Sequence, residues 1–150
     1  MQSIDQSGTS AASAPIQKIA HLGIAVRDLE AALVTYRDRL GLRHLETKDV
    51  PERGLRVAFL EAGEALIELL APLNEQSEIT RFLADRGEGI HHLCFEVADI
   101  RGELGRVEAA GIRLVNREPS LGAEGLPVAF LHPKSCHGVL LELLEAPKPA

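Results

Sequence analysis

The chain is written twice, and no other feature narrows its fold as much. The segment His21-Leu22-Gly23-Ile24-Ala25-Val26-Arg27-Asp28-Leu29 resembles His92-Leu93-Cys94-Phe95-Glu96-Val97-Ala98-Asp99-Ile100, displaced by 71 positions. Val57-Ala58-Phe59-Leu60 returns as Val128-Ala129-Phe130-Leu131 at the same displacement. Ile67-Glu68-Leu69-Leu70 then returns as Leu141-Glu142-Leu143-Leu144, displaced by 74. The three added positions fit in the longer turn His132-Pro133-Lys134-Ser135-Cys136-His137-Gly138. Three blocks in one order are the signature of a duplicated unit. Each copy has only about 55 residues, too few to close a core alone, so the halves are expected to fold against each other.

Within each copy the pattern reads strand, helix, then three strands. In the first copy a strand over 18–26 leads to Asp28, a good helix cap. A helix follows with Leu29, Ala32, Leu33, Tyr36 and Leu40 at three- and four-residue spacing. Gly41 stands where a helix-ending glycine belongs. Strands are expected over 42–47, 55–61 and 65–70, with turns at Pro51-Glu52-Arg53-Gly54 and Ala62-Gly63-Glu64. The second copy predicts a strand over 90–97, a cap at Asp99, a helix through Leu104, Val107 and Ala110, and a stop at Gly111. Strands over 112–116, 126–131 and 139–144 complete it. The expected organisation is a disordered tail over 1–15 and a single domain over 16–147. That domain divides into module one (about 17–72), a linker helix capped by Ser77 (about 77–86) and module two (about 88–147).

Composition removes several functions. A net charge of −6, with 16 basic against 22 acidic residues, argues against a general phosphate-backbone binder but not against one small anionic ligand held by a local basic patch, and 3% aromatic content disfavours a base-stacking platform. No nucleic-acid partner is expected. No apolar run approaches the length of a membrane span and no targeting segment stands out, so the expected address is the cytoplasm. Cys94 and Cys136 cannot form a disulfide framework or a four-cysteine zinc site, and each reads as an ordinary small residue or loop thiol. Arg37, Arg39 and Arg43 read as a solvated helix end.

The repeat carries the chemistry as well. His21 and His92 hold the same position in the first strand of each copy, and Glu68 and Glu142 hold the same position in the last. Both glutamates interrupt apolar strands. A buried carboxylate costs several kcal/mol unless it is paired or bound to a metal. Seen singly, such a glutamate is most often solvent-facing and such a histidine structural; the matched pairs favour a site. Two imidazoles and two carboxylates suit Co, Mn, Ni or Zn, and leave two positions of an octahedral ion open. Strand alternation is expected to turn His91 to the face opposite His92.

At these residues the chain resembles the vicinal oxygen chelate superfamily, and within it the methylmalonyl-CoA epimerases, over about residues 17–146. The resemblance rests on His21-Leu-Gly-Ile-Ala-Val, Pro51-Glu-Arg-Gly54, Glu68-Leu-Leu-Ala-Pro-Leu-Asn74, Gly89-Ile-His-His-Leu-Cys-Phe-Glu-Val97 and Phe130-Leu-His-Pro-Lys-Ser-Cys-His-Gly-Val-Leu-Leu-Glu142. It implies an α+β fold: two paired βαβββ modules forming a curved, cupped mixed β-sheet with flanking helices, in a homodimer. It implies a divalent metal ion (Co, Mn, Ni, Zn or Mg) held by His21, Glu68, His92 and Glu142. Its substrate is a small acyl-CoA. The implied reaction interconverts (2R)- and (2S)-methylmalonyl-CoA by α-proton abstraction through a metal-stabilised enolate.

Inversion needs proton transfer on both faces of the carbon. Glu142 is the first candidate base and Glu68 the second. Some members of the family carry a further glutamate on the strand after the turn, where this chain has Leu55, Arg56, Val57 and Ala58. Lys134 and Ser135, with His132 and His137, are candidate contacts for the anionic coenzyme. A glyoxalase-like lyase can use the same ligand quartet, whereas a metal-free binding module of this fold needs no quartet. An extradiol dioxygenase uses iron with two histidines and one glutamate, and Glu68 would crowd out dioxygen.

Overall fold

The computed structural model describes residues 15–149; the tail expected over 1–15 lies, apart from Pro15, outside the described residues. β1 (Ile16–Ala25) leads into α1 (Leu29–Leu33), and β2 (Arg43–Val50), β3 (Leu55–Ala62) and β4 (Ala65–Pro72) complete the first half. α2 (Glu78–Arg86) connects to β5 (Gly89–Val97) and α3 (Ile100–Ala109). The short β6 (Ser120–Leu121), β7 (Pro127–Leu131) and β8 (Leu141–Glu145) follow. The eight strands form one mixed, curled sheet in the order β2-β3-β4-β1-β5-β8-β7-β6. β1 and β5 pair antiparallel at its centre, each flanked by a parallel neighbour, β4 and β8. Among the described residues no helix is long and apolar enough to cross a membrane.

The repeat reappears in the packing. Against α1, one cluster buries Val26, Leu29, Leu33, Ala58, Leu60 and Leu69. Against α3, another buries Val97, Ile100, Leu104, Ala129, Leu131 and Leu143, the same positions one copy later. Successive strand residues face opposite sides, so the intervening Val57, Phe59 and Leu70 pack instead with Ile79 and Leu83 of α2. Each outer helix starts the same way. The Asp28 carboxylate accepts from Ala31 N and that of Asp99 from Gly102 N, both at 3.1 Å. Gly41 and Gly111 follow the helical stretches with φ of 80° and 98°, which favour glycine. Ser77 caps α2 by accepting from Ile79 N.

Two expectations are corrected. The first helix is not α-helical throughout: Val34–Arg39 is π-helical, with Leu40 N donating to Thr35 O at 2.9 Å. The wider winding takes Leu40 off the apolar stripe, and it is 65% exposed. In the second half no strand runs over 112–116. Leu114 makes a single bridge to Leu131, and pairing with β7 resumes only at Ser120 and Leu121. Displaced by 71, the eight residues of β2 map onto 114–121, so both pieces are remnants of one edge strand. The break has a local cause. Pro119 has no N–H to give a ladder, and Phe130 N donates to the Asn116 side chain rather than to a strand carbonyl.

Leu33 is 2% exposed and lies at the centre of the α1 cluster. Leu33→Ala is expected to lower unfolding free energy by about 2–5 kcal/mol, the cost of a large-to-small core change, read from urea denaturation.

Candidate metal centre and its cavity

The central strand pair brings the two halves' histidines face to face. In β1–β5, His21 pairs with Cys94 and Gly23 with His92. Glu68 is opposite Gly23 on β4, and Glu142 is opposite Cys94 on β8. The register therefore collects all four expected ligands at the centre of the sheet. They are buried, with His21 and Glu68 3%, Glu142 4% and His92 6% exposed.

Their polar atoms converge. His21 Nε2 lies 3.0 Å from His92 Nε2 and 2.7 Å from Glu142 Oε1, which is 3.3 Å from His92 Nε2. On the other edge of the His21 ring, Nδ1 is 2.6 Å from Glu68 Oε2. Ligands about 2.1 Å from an octahedral ion stand about 3.0 Å apart in cis, so the three-atom spacing fits a divalent cation. His21 Nδ1, Glu68 Oε2 and Glu142 Oε1 are buried without a hydrogen bond of acceptable geometry. Close approach of His21 Nε2, His92 Nε2 and Glu142 Oε1 is what a shared cation resolves, while Glu68 stands at the Nδ1 edge of the His21 ring. The residues present fit a divalent metal.

Electrostatics point the same way. Burial alone would push the His21 imidazole down, but Cys94, Glu124, Glu142 and Glu68 around it outweigh burial and hold its proton far above the ordinary range. Burial would raise the Glu142 carboxyl, yet His21 and His92 keep it well below the usual carboxylate range. The cluster thus draws in positive charge. The Cys94 thiol is pushed up to about 12, chiefly by burial.

Gly23 makes the approach possible. A Cβ there would overlap three atoms of the His92 ring. At the repeat-related position, opposite His21, Cys94 places a thiol among the ligand atoms, and His21, Cys94 and Glu142 form one of two further clusters.

His91 does not follow the expected alternation. Gly23 pairs with His92 and Ile24 with Ile90, so β5 bulges at His91. The bulge turns His91 to the same side. Its Nδ1 lies 3.0 Å from His92 Nδ1 and its ring rests edge-on against Phe82. Burial first, and His92 second, push His91 down to about 4, so it is neutral at pH 7. A neutral His91 can accept the His92 Nδ1 proton and so leave Nε2 free to ligate.

The cluster forms the floor of a cavity of about 570 Å³. Phe130, Leu70, Val128 and Leu144 give it apolar walls, and Arg53, Asn74, Asn116 and Ser120 are among its polar ones. His132, Lys134 and Ser135 do not line it. Lys134 N donates to His132 Nδ1 within the turn, and Arg113 N donates to Ser135 Oγ, which ties the turn to the segment after α3. The sequence reading missed Glu124. Its carboxylate, 24% exposed, lies 3.5 Å from His21 Nδ1, and His21, Glu68 and Glu124 form the second further cluster. A signal did exist: Glu124-Gly125-Leu126 is the repeat of Arg53-Gly54-Leu55 in the turn already noted.

Residues 20–130 match the Glyoxalase/Bleomycin resistance protein/Dioxygenase superfamily. The ethylmalonyl-CoA/methylmalonyl-CoA epimerase of Cereibacter sphaeroides is 45% identical over 130 residues, covering 85% of this chain and 97% of that protein. The mouse mitochondrial methylmalonyl-CoA epimerase is 43% identical over 138 residues, covering 89% of this chain and 78% of that protein. The chain belongs to this superfamily and, within it, to the methylmalonyl-CoA epimerase family. Among solved structures of the family, a variant of the Streptomyces coelicolor methylmalonyl-CoA epimerase in complex with 2-nitronate-propionyl-CoA superposes with a TM-score of 0.82. It is 37% identical, covering 88% of this chain and 99% of that one.

Because the carboxylates around His21 raise its affinity for a proton that a cation must displace, binding of a divalent metal is expected to release about one proton and to weaken steadily as pH falls through the neutral range. Calorimetry in two buffers of different ionisation enthalpy reads the proton count directly. Gly23→Ala is expected to weaken the same binding at least tenfold by displacing the His92 ring, read by metal titration.

Proposed function

We propose that this chain is a metal-dependent epimerase interconverting (2R)- and (2S)-methylmalonyl-CoA. The observation that carries the reading is the buried His21–His92–Glu142 convergence, with Glu68 beside it, at the floor of a cavity. The family membership supports the same substrate. A bound divalent cation, of the Co, Mn, Ni, Zn or Mg class, would act as a Lewis acid on the thioester oxygen as negative charge grows there.

Each step falls to residues of the chain. Glu142, held ionised beside His21 and His92, takes the α-proton from one face. Glu68, on the far edge of the His21 ring, serves the other face and returns a proton to invert the carbon. Glu124, beside it, is the further carboxylate on that edge. Val57 is wholly buried among apolar side chains and moves no proton. Phe130, Leu70, Val128 and Leu144 keep water from the reacting carbon.

Two free thiols support a reducing compartment such as the cytoplasm. Ile16, Ile19 and Ile90, exposed on the central strand pair, support a homodimer.

Incubation of metal-loaded protein with methylmalonyl-CoA in deuterium oxide is expected to place deuterium at the α-carbon, read by mass spectrometry. No incorporation would overturn the assignment. Glu142→Gln should slow incorporation at least about a hundredfold. Glu68→Gln, whose amide oxygen can still ligate, should keep metal stoichiometry while exchange from one epimer falls.

A further inference from the structure

Displaced by 71, the two turns that precede β3 and β7 superimpose in sequence as Arg53-Gly54-Leu55 and Glu124-Gly125-Leu126. Both line the cavity, one from each half. The repeat thus sets opposite charges at equivalent positions. Glu124 is turned to His21 and belongs to the acidic, cation-seeking floor. Arg53 has no such neighbour.

Arg53 is the only lysine or arginine lining the cavity among the described residues, against Glu52, Glu68, Glu78, Glu124 and Glu142. Its Nη2 donates to Ser120 Oγ at 3.2 Å and to Leu121 O at 3.1 Å. Those acceptors are neutral and belong to β6. The turn carrying Arg53 follows β2, so one side chain links the surroundings of the two outermost strands of the sheet. Seven other arginines, at 27, 37, 43, 56, 101, 106 and 117, have a carboxylate within 4.0 Å; Arg53 forms no ion pair among the described residues. Its Nε and Nη1 hydrogens have no protein acceptor there and remain for a ligand. Leu73 N donates to Gly54 O at 2.9 Å, which seats this turn against the chain leading to α2. Residues 76–79, at the positive end of α2, line the same cavity.

We propose that Arg53 is a substrate-binding, specificity-determining residue that takes an anionic oxygen group of the acyl-CoA, a phosphate of the coenzyme or the free carboxylate of the acyl chain. This rests on the acyl-CoA reading above. The physical need is plain. An anionic substrate entering a cavity with five glutamates meets repulsion, and one unpaired guanidinium offsets it with charge-assisted hydrogen bonds that an uncharged analogue cannot use.

The test measures dissociation constants by calorimetry, with divalent metal present, for methylmalonyl-CoA and for methylmalonyl-pantetheine, which keeps the carboxylate but lacks the phosphates. Arg53→Gln is expected to weaken methylmalonyl-CoA binding about 10- to 100-fold. Weakening of the coenzyme ester alone assigns the phosphate, and weakening of both assigns the carboxylate. Unchanged constants for both overturn the proposal. Arg53→Lys keeps the charge but not the fork to Ser120 and Leu121, and is expected to recover most of the binding. Failure of Arg53→Lys to recover it, together with a melting temperature lowered as in Arg53→Gln, would make Arg53 a structural latch and overturn the proposal. Failure of the epimerase reading looks different: the wild-type protein binds both ligands yet exchanges no α-proton.

Discussion

The antiparallel pairing of β1 with β5 is the constraint on which the rest depends. One half supplies His21 and Glu68, the other His92 and Glu142. None of these side chains could be buried alone without a large desolvation cost. Together His21, His92 and Glu142 bring two nitrogens and a carboxylate within 3.3 Å of one another, with Glu68 beside them, so groups that would oppose folding separately meet when the halves dock. Gly23 is the small feature that allows it, since a side chain there would occupy the space of the His92 ring.

Duplication explains the division of labour between the two faces of the sheet. The face packed on α1 and α3 preserves the repeat closely, with Val26, Leu29 and Leu33 matched by Val97, Ile100 and Leu104. That face does only packing, and the same shape serves twice. The cavity face departs from the repeat. Cys94 replaces Gly23, Glu124 replaces Arg53, and the copy of β2 is broken near Pro119, which places Val115, Asn116 and Ser120 on the cavity wall. An exactly symmetric cup would present the same groups from both halves, whereas inverting a carbon flanked by two different carbonyl groups requires unlike surroundings.

Much of the fold was legible because apolar periodicity and helix caps act locally. Asp28, Asp99 and Ser77 cap their helices through bonds that span two or three residues. The meeting of His21, Glu68, His92 and Glu142 was legible for another reason: matched positions in a duplicated chain come to equivalent places. The errors mark the limits of local rules. Leu40 leaves the apolar stripe because the helix widens to π winding, and His91 turns toward His92 because β5 bulges. Both depend on how neighbouring segments pack rather than on the residues themselves.

The amino-acid sequence by itself determined that two similar halves must share one sheet, and that two histidines and two glutamates would occupy corresponding places in it. Periodicity and duplication suffice for that. Only the tertiary structure decided which further groups join them. The glycine-flanked turn of Glu124 reaches His21 from the other half of the chain, while the related Arg53 turns instead to β6. The physical reason is the curl of the sheet, which brings edge turns far apart along the chain over the same buried charges.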